Sequence, residues 1–537
     1  MAKTASKSAG KPAAANAKKT PNKKTTATTA PPAPQEKAVT SGFTIDNWFG
    51  IKRRGSTIGR EARGGLVTFL TMAYIIVLNP IIIGTATDIE GRLVNGMLPT
   101  EDGAVGASMG AVAAATALVA GVMTILMGIV GRYPVALATG LGINSMVAYV
   151  LTQFMPWKAA MGVVVWDGIL ITILVFTGFR EAVFRAVPPA LRFAISAGIG
   201  LFIAFIGLVD AGIIRKGSGT ITTFGVSTSI DGFPMVVFVL GLFTLIALYT
   251  KKVRGAFLIA IVGATALAII GQSIHPIGTQ NDGVVTGWSL NVPQLLSDFG
   301  LPDLSLLGRI DLLGGFQSWS VGADGAVIAG GFSFASIITG LMFVFSLLLA
   351  DFFDTMGTVV AIGAEGNLLS DKGEPEHLRE ILLVDSIGAI AGGAASVSSN
   401  TSYIESASGV GDGARTGFAN LVTGAAFLAA VFISPLTNMV PSEAVAPALV
   451  FVGFLMVTQL GEVPWKEPTL AIPAYVTAIL MPFGYSITVG IGGGFITYVL
   501  VKVFAGKAKD IHPIMWGSAF MFALYFMQGP LLRWVTG

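Results

Sequence analysis

The feature that most constrains this sequence is a series of apolar runs that recur from residue 64 to residue 504. A helix needs about 20 mostly apolar residues to cross the hydrocarbon core of a bilayer, and most of the runs are near that length. They lie at 64–84, 108–130, 133–152, 157–178, 190–214, 233–249, 254–272, 332–364, 379–396, 399–411, 415–434, 443–460, 468–484 and 487–504. The pattern predicts an all-α polytopic membrane protein of fourteen transmembrane segments, with seven on each side of a long polar loop.

The composition supports a membrane protein and excludes several classes of site. Of the 537 residues, 53% are hydrophobic and 12% are charged, against about 25% charged residues in an ordinary soluble domain. The chain contains no cysteine, which excludes disulfides, thiolate metal sites and thiol catalysis. Its three histidines are scattered. We therefore expect no metal and no cofactor.

The charge distribution predicts the orientation. Residues 1–66 contain 13 Lys or Arg against 3 Asp or Glu, and an excess of basic residues marks the cytoplasmic side. The N-terminus is therefore expected inside, and an even number of spans returns the C-terminus to the same side. This orientation leaves the loops at 85–107 and 273–331 outside and the following basic residues inside: Arg180, Arg185, Arg192, Lys251, Lys252, Arg254 and Lys502.

Three further segments lie outside the fourteen runs. Residues 1–42 are a low-complexity array of Lys, Ala, Thr and Pro with little to bury, so we expect a disordered, solvated tail and no nucleic-acid partner. Residues 43–49 predict a short interfacial helix, which completes a cytoplasmic segment at 1–60. Residues 514–527 are apolar but short, and they predict an interfacial or half-crossing helix.

Two acidic residues interrupt the eighth run. Asp351 and Asp354 lie three residues apart, on one face of a helix, with Thr355 and Thr358 one turn beyond them. A charged side chain at the bilayer centre costs about 2.5–3.5 kcal/mol even on the lenient insertion scale. Both acids are therefore expected to face a cavity or a partner rather than lipid.

The third and tenth runs are short and broken by small residues. They contain residues 134–145 (PVALATGLGINS) and 396–409 (SVSSNTSYIESASG), which predict segments that are partly extended and partly helical. Paired discontinuous segments at matching positions of two halves indicate a transporter's midplane site. Taken alone, Gly140 and Gly142 fit close helix packing better than a binding site, but Glu405 changes this balance because it adds a second acid in an otherwise uncharged break.

Asp354 and Glu405 together suit a polar ligand such as a nucleobase. Carboxylates accept hydrogen bonds from ring N–H and amine groups, and a carboxyl in low dielectric is readily protonated. Either acid, with Asp351 as a neighbour, is thus a candidate for proton coupling. The alternative for each, and for Asp385 in the ninth run, is a buried polar group satisfied by neighbouring hydroxyls or by an ion pair.

Several motifs resemble the nucleobase-cation symporter family in its azaguanine-permease-like branch. They are residues 68–75 (TFLTMAYI), 194–204 (AISAGIGLFIA), 353–358 (FDTMGT), 401–407 (TSYIESA), 415–417 (RTG), 434–436 (SPL) and 481–487 (MPFGYSI). The similarity extends over residues 60–505. The third run departs from the family pattern at 139–144 (TGLGIN) and the tenth at 398–401 (SSNT), which bears on substrate preference.

The resemblance implies a 7+7 inverted repeat. Spans 1–4 (61–178) and 8–11 (332–434) would form a core domain, and spans 5–7 (179–272) and 12–14 (435–537) a gate domain. Members import purine bases with protons across the plasma membrane as the core slides against the gate, and the resemblance implies gate-to-gate homodimers. The expected substrate-binding residues are Asp354, Glu405, Thr355, Thr358, Tyr403, Ile404, Thr139, Gly140, Gly142 and Asn144.

Two other functions fit parts of the sequence. An anion transporter of the same inverted-repeat plan would need a basic residue near the broken segments, where this chain has Glu405. An intramembrane aspartyl protease is indicated by residues 409–412 (GVGD) and 447–449 (PAL), with Asp351 or Asp354 as the partner acid. Fourteen spans in two halves do not match the protease architecture, so we expect a transporter and not an enzyme.

Overall fold

The computed structural model describes residues 45–536 except 178–185, 217–221, 227–228, 254, 281–282, 294–300, 323–325 and 371–374. The predicted tail at 1–42, the start of the predicted helix at 43–49 and the basic residues Arg180, Arg185 and Arg254 lie outside the described residues. A short helix is present at Ile45–Phe49.

The described chain is mostly helical. The α-helices are α1 Ile45–Phe49, α2 Ile58–Met72, α3 Ile75–Thr85, α4 Ala104–Leu126, α5 Leu141–Tyr149, α6 Trp157–Thr177, α7 Pro189–Asp210, α8 Phe233–Thr250, α9 Ala256–Ile274, α10 Phe334–Gly366, α11 Leu378–Ala394, α12 Ser406–Gly411, α13 Phe418–Ala430, α14 Ser442–Val457, α15 Pro468–Phe483, α16 Ile487–Phe504 and α17 Pro513–Thr536. The strands are β1 Leu137–Thr139, β2 Ile214–Arg215, β3 Thr223–Phe224, β4 Gln317–Val321, β5 Val327–Phe332 and β6 Asn400–Ser402.

Ten helical segments in the described part of the chain are long and apolar enough to cross a membrane. This confirms the prediction of a polytopic, mostly helical membrane protein. Helices α5, α11, α12 and α15 each have 17 or fewer residues. The full set of fourteen spans in two inverted halves therefore stays a prediction.

Local sequence signals explain where several helices begin and break. The side chain of Ser333 accepts a hydrogen bond from the Ser336 amide, and the side chain of Ser336 accepts one from the Ser333 amide, which forms a capping box before α10. The first apolar run is divided at Ala73 and Tyr74 into α2 and α3. This break places the Tyr74 side chain between two helices, where it contacts the site described below.

The helices pack in two main groups. In one, α6 packs on α10 and α11, α4 packs on α3 and α13, and α2 packs on α12 and α13. In the other, α7 packs on α14 and α15, α8 packs on α9 and α14, and α16 packs on α15 and α17. Glycines permit the closest approaches: a Cβ on Gly128 would lie within 2.4 Å of the Gly417 carbonyl oxygen.

The structure differs from the sequence prediction in two places. The all-α description omits two small antiparallel hairpins, β2–β3 and β4–β5, which form within the polar connections. The helix predicted over 514–527 extends from Pro513 to Thr536. Gln528, Gly529 and Pro530 interrupt the apolar run in the sequence, but a helix continues wherever its backbone hydrogen bonds do.

Candidate substrate-binding site

The two broken segments cross each other in the core of the molecule. Strands β1 and β6 pair antiparallel, with Thr139 opposite Asn400, and the Gly140 amide donates a hydrogen bond to the Ser399 carbonyl at 2.9 Å. Helix α5 begins directly after β1, and α12 begins four residues after β6. The predicted combination of extended and helical pieces in these segments is therefore confirmed.

Left-handed backbone precedes β6. Ser396 and Ser398 have φ values of 58° and 74°, a conformation that costs a residue with a side chain about 1–3 kcal/mol. The Ser396 hydroxyl is anchored to the carbonyls of Leu306 and Arg309 at 3.1 and 3.2 Å. Strain retained in this way is typical of a functional segment.

A cavity of about 790 Å³ lies against the crossed segments, within the range of about 300–1,000 Å³ that is common for small-molecule sites. Seven of the ten predicted substrate-binding residues line it: Gly140, Gly142, Asp354, Thr358, Tyr403, Ile404 and Glu405. Helices α7 and α8 and the end of α14 form the opposite wall, whose polar members include Arg192, Ser196, Tyr249 and Gln459. The cavity thus lies between the two helix groups.

Glu405 is held in place by a residue that the sequence prediction did not include. The Tyr74 hydroxyl donates a hydrogen bond to Glu405 Oε1 at 2.5 Å. The Tyr74 ring in turn stacks on Phe257, with centroids 5.0 Å apart and ring planes at 22°. A carboxylate has about four acceptor positions, so Glu405 retains the capacity to accept hydrogen bonds from a ligand.

Asp354 lines the same cavity and is half-buried. Among the described residues, no donor hydrogen-bonds its carboxylate. Next to it, Gly357 also lines the cavity, and a Cβ built there would meet nothing within 4 Å. Asp354 is therefore available to a donor group on a bound molecule.

Two predicted residues support the crossed segments and do not line the cavity. The Thr139 carbonyl accepts a hydrogen bond from the Tyr403 hydroxyl at 2.7 Å. Asn144 donates through Nδ2 to Asn79 Oδ1 at 2.7 Å, and Asn79 donates to the Val397 carbonyl at 3.2 Å. These bonds tie β1 and α5 to α3 and to the segment before β6.

Thr355 and Asp351 lie behind the cavity. Thr355 donates to Asp385 Oδ2 at 2.8 Å, and Asp351 Oδ2 accepts from the Ser399 hydroxyl at 2.7 Å. Asp167 on α6 is fully buried and interacts electrostatically with Asp351. The structure thus separates the two acids of α10, with Asp354 at the cavity and Asp351 in a buried acidic cluster.

The sequence contained signals for the two acid partners that were missed. Asp167 is a single acid in the fourth apolar run, and the reasoning that selected Asp351 and Asp354 applies to it equally. Tyr74 falls within the 68–75 motif, but nothing in the sequence indicated that it reaches Glu405, which is 331 residues away along the chain.

The sequence is similar to a permease family and to individual purine and nucleobase transporters. A family described as "Permease family" (Xan_ur_permease) matches residues 59–493. The guanine/hypoxanthine permease PbuG of Bacillus subtilis is 38% identical over 90% of this chain and 99% of its own length. The adenine permease AdeP of Escherichia coli is 34% identical over 89% and 95%, and the nucleobase transporter PlAzg2 of Paenibacillus larvae is 30% identical over 82% and 77%.

Solved structures with a similar fold are remote in sequence. The transmembrane domain of the cyanobacterial bicarbonate transporter BicA matches with a TM-score of 0.53 at 13% identity, over 80% of this chain and 97% of its own. SLC26A9 matches with a TM-score of 0.56 at 13% identity, over 86% and 66%. At this identity the likeness concerns the fold alone.

Proposed function

The chain belongs to the permease family, in its nucleobase-cation symporter group, and on that basis we propose that it imports purine bases together with protons. Members of this family are permeases, so the protein is a transporter and not an enzyme. Relatives of similar length are named for guanine and hypoxanthine or for adenine. We propose these three bases as the candidate substrates.

The observation that carries the proposal is that Asp354 and Glu405 line one cavity. A purine presents ring N–H groups, and in adenine and guanine also an exocyclic amine, along its edge. Carboxylates are strong acceptors for such donors, since a charge-assisted hydrogen bond is about twice as strong as a neutral one. Thr358 adds a hydroxyl group to the same lining, and this group can donate to a ring nitrogen or carbonyl oxygen of a base.

The proposed transport cycle uses the two helix groups as moving parts. We assign the packed group around α4, α6, α10 and α13 to the core and the packed group around α7, α8, α14 and α15 to the gate. A substrate in the cavity touches both groups, so sliding the core against the gate would carry it across the bilayer. The 7+7 inverted repeat, the elevator motion and homodimers through the gate are parts of this proposal.

Proton coupling is proposed to use the acids of α10 and β6–α12. A proton that binds with the base would compensate the negative charge that Asp354 and Glu405 place near the bilayer centre, where an uncompensated charge is costly. Asp351, one helical turn from Asp354, belongs to the same electrostatic environment. No other cofactor is part of the proposal.

Uptake of radiolabelled bases tests the proposed function. The full chain would be expressed in cells that lack their own purine carriers, and uptake of adenine, guanine and hypoxanthine would be measured with and without a protonophore. We expect saturable uptake that the protonophore suppresses, and competition among the bases assigns the preferred substrate. An absence of saturable uptake of every purine base would refute the proposal.

Two variants test the site itself. Asp354→Asn and Glu405→Gln keep the side-chain shape and remove the charge. A hydrogen bond to a charged group contributes about 1.5–3 kcal/mol, so each variant is expected to raise the half-saturating concentration at least roughly tenfold. An unchanged half-saturating concentration in both variants would show that the base binds at a different site.

The alternative of an anion carrier gains one observation, because Arg192 lines the cavity. The cavity also holds Asp354 and Glu405, which repel an anion, and we therefore favour a neutral base. Chloride or sulfate uptake that persists in Glu405→Gln, without purine uptake by the unmodified chain, would favour the alternative.

A further inference from the structure

Three carboxyl groups cluster in the interior behind the cavity. Asp167 on α6, Asp351 on α10 and Asp385 on α11 are exposed by 0%, 1% and 3% respectively. All three helices belong to the same packed group, with α6 in contact with both α10 and α11. The lining of the cavity does not include these acids.

Hydroxyl groups hold two of the three acids. Ser399 donates to Asp351 Oδ2 at 2.7 Å, and Ser402 donates to Asp385 Oδ1 at 2.8 Å. Thr355 donates to Asp385 Oδ2 at 2.8 Å. Asp351 and Asp385 are therefore anchored to the crossed segment and to α10 by defined hydrogen bonds.

Asp167 is different, because neither of its carboxyl oxygens accepts a hydrogen bond from a described donor. Its carboxyl group instead interacts electrostatically with that of Asp351, on the helix α10 that packs against α6. Asp351 Oδ1 also lacks a donor among the described residues. Two ionised carboxylates have only acceptors, so a hydrogen bond between them requires a proton on one of them.

In the part of the chain that the structure describes, no cation compensates the charge of this pair. Within the described residues, no Lys, Arg or His forms a salt bridge with Asp167 or Asp351. The charged groups that act on this pair and its neighbourhood are themselves acidic, namely Asp385 from α11, Asp354 from α10 and, through Asp354, Glu405. Like charges this close in a low-dielectric interior bind one proton between them more tightly than an isolated carboxyl does. Release of that proton therefore requires a conformation in which the pair is hydrated or separated.

We propose that Asp167 and Asp351 share one proton and that this pair is the site of the transported proton, separate from the carboxylates that contact the base. The inference rests on the proposed proton symport and assigns its proton to a position. An O–H bond forms on the pair when a proton enters from outside, and the same bond breaks when the proton leaves inside. No electron transfer is involved.

The geometry connects the proton pair to the substrate cavity through two elements. Helix α10 carries both Asp351 and Asp354, one turn apart. The segment from Ser399 to Glu405 begins at the Asp351 carboxylate and ends at the cavity. A change in charge at the pair therefore acts on the two elements that carry Asp354 and Glu405, while proton and base keep separate ligands.

Proteoliposomes that contain the purified full chain separate the two events. Purine counterflow measures exchange of the base, and a pH-sensitive dye inside the vesicles measures proton entry driven by external purine. In Asp167→Asn the amide replaces the shared proton as donor to Asp351. We expect this variant to keep counterflow but to lose purine-driven proton entry and protonophore-sensitive accumulation.

Asp210→Asn is the matched control. Asp210 is also a buried aspartate in an apolar helix, and it pairs with the Tyr149 hydroxyl at 3.3 Å, outside the acidic cluster. This variant is expected to retain both counterflow and purine-driven proton entry. Loss of proton entry in both variants would overturn the assignment to the Asp167–Asp351 pair.

Other outcomes also decide the matter. Asp167→Asn vesicles that keep the proton-to-purine ratio of the unmodified chain overturn the inference, and so does accumulation that follows a Na⁺ gradient. If Asp167→Asn does not fold, Asp351→Asn removes the other half of the pair, and retained proton entry in that variant overturns the inference. If the unmodified chain shows no purine counterflow, the proposed function itself is refuted. This outcome differs from those above, in which purine counterflow is present and only the proton site is wrong.

Discussion

The hydrogen bond from Tyr74 to Glu405 provides a quantitative test of the site. Tyr74→Phe removes one hydroxyl group and keeps the ring that stacks on Phe257. The lost bond is 2.5 Å long and joins a hydroxyl donor to a carboxyl group, and a hydrogen bond to a charged group contributes about 1.5–3 kcal/mol. If this energy holds Glu405 ready for the base, affinity falls by roughly 10- to 150-fold.

The assay is the inhibition constant of unlabelled base against uptake of the radiolabelled base, together with protein abundance in the membrane. Tyr149→Phe is a matched control because Tyr149 also donates to a buried acid, Asp210, but does not line the cavity. We expect a weakened inhibition constant in Tyr74→Phe and little change in Tyr149→Phe. Equal inhibition constants for Tyr74→Phe and the unmodified chain would refute a positioning role for this hydroxyl.

Two further predictions concern packing and pH. A Cβ on Gly168 would lie 2.7 Å from the backbone nitrogen of Ile390, so Gly168→Ala should destabilise the purified protein by about 1–3 kcal/mol. Gly263→Ala is the control, because a Cβ there would meet nothing within 4 Å, and it should leave stability unchanged. Equal thermal unfolding temperatures for the two variants would contradict this prediction. The Arg54 side chain, with hydrogen bonds to Glu376, lowers the pKa of that carboxyl below 4.5. Stability from this pair is therefore complete above about pH 4.5 and falls as the pH drops through the lowered pKa. The hydrogen-exchange protection factors of the amides at positions 376 and 377, which are corrected for intrinsic exchange, should therefore fall below pH 4.5 in the unmodified chain but not in Glu376→Gln.

The sequence predicted the membrane class and the broken segments because both depend on local composition. Long apolar runs identify most helices of the fold directly, since a bilayer leaves few other structures for them. The dense series of small polar residues at 396–402 predicted extended backbone, which is observed as β6. The pairing of Thr139 with Asn400 was not predictable, because it depends on contacts between segments 261 residues apart.

In the candidate site, too, some features follow from local composition and others depend on contacts between distant segments. Asp354 and Glu405 were selected because isolated acids in apolar runs are costly, and the structure brings both to one cavity. The same argument also selected Asp351 but could not indicate that it faces Asp167 and not the cavity. Which side of a helix meets which neighbour is set by packing of the whole core, and spacing along one helix does not contain that information.

The central claim is that a purine base lies between the two helix groups with its edge on Asp354 and Glu405. The most direct measurement is an experimental structure of the full chain in lipid nanodiscs with guanine, hypoxanthine or adenine present. We expect density for a planar base in the cavity beside the paired strands β1 and β6, within hydrogen-bonding distance of both carboxylates. A base bound elsewhere, or in this cavity without contact to either acid, would contradict it.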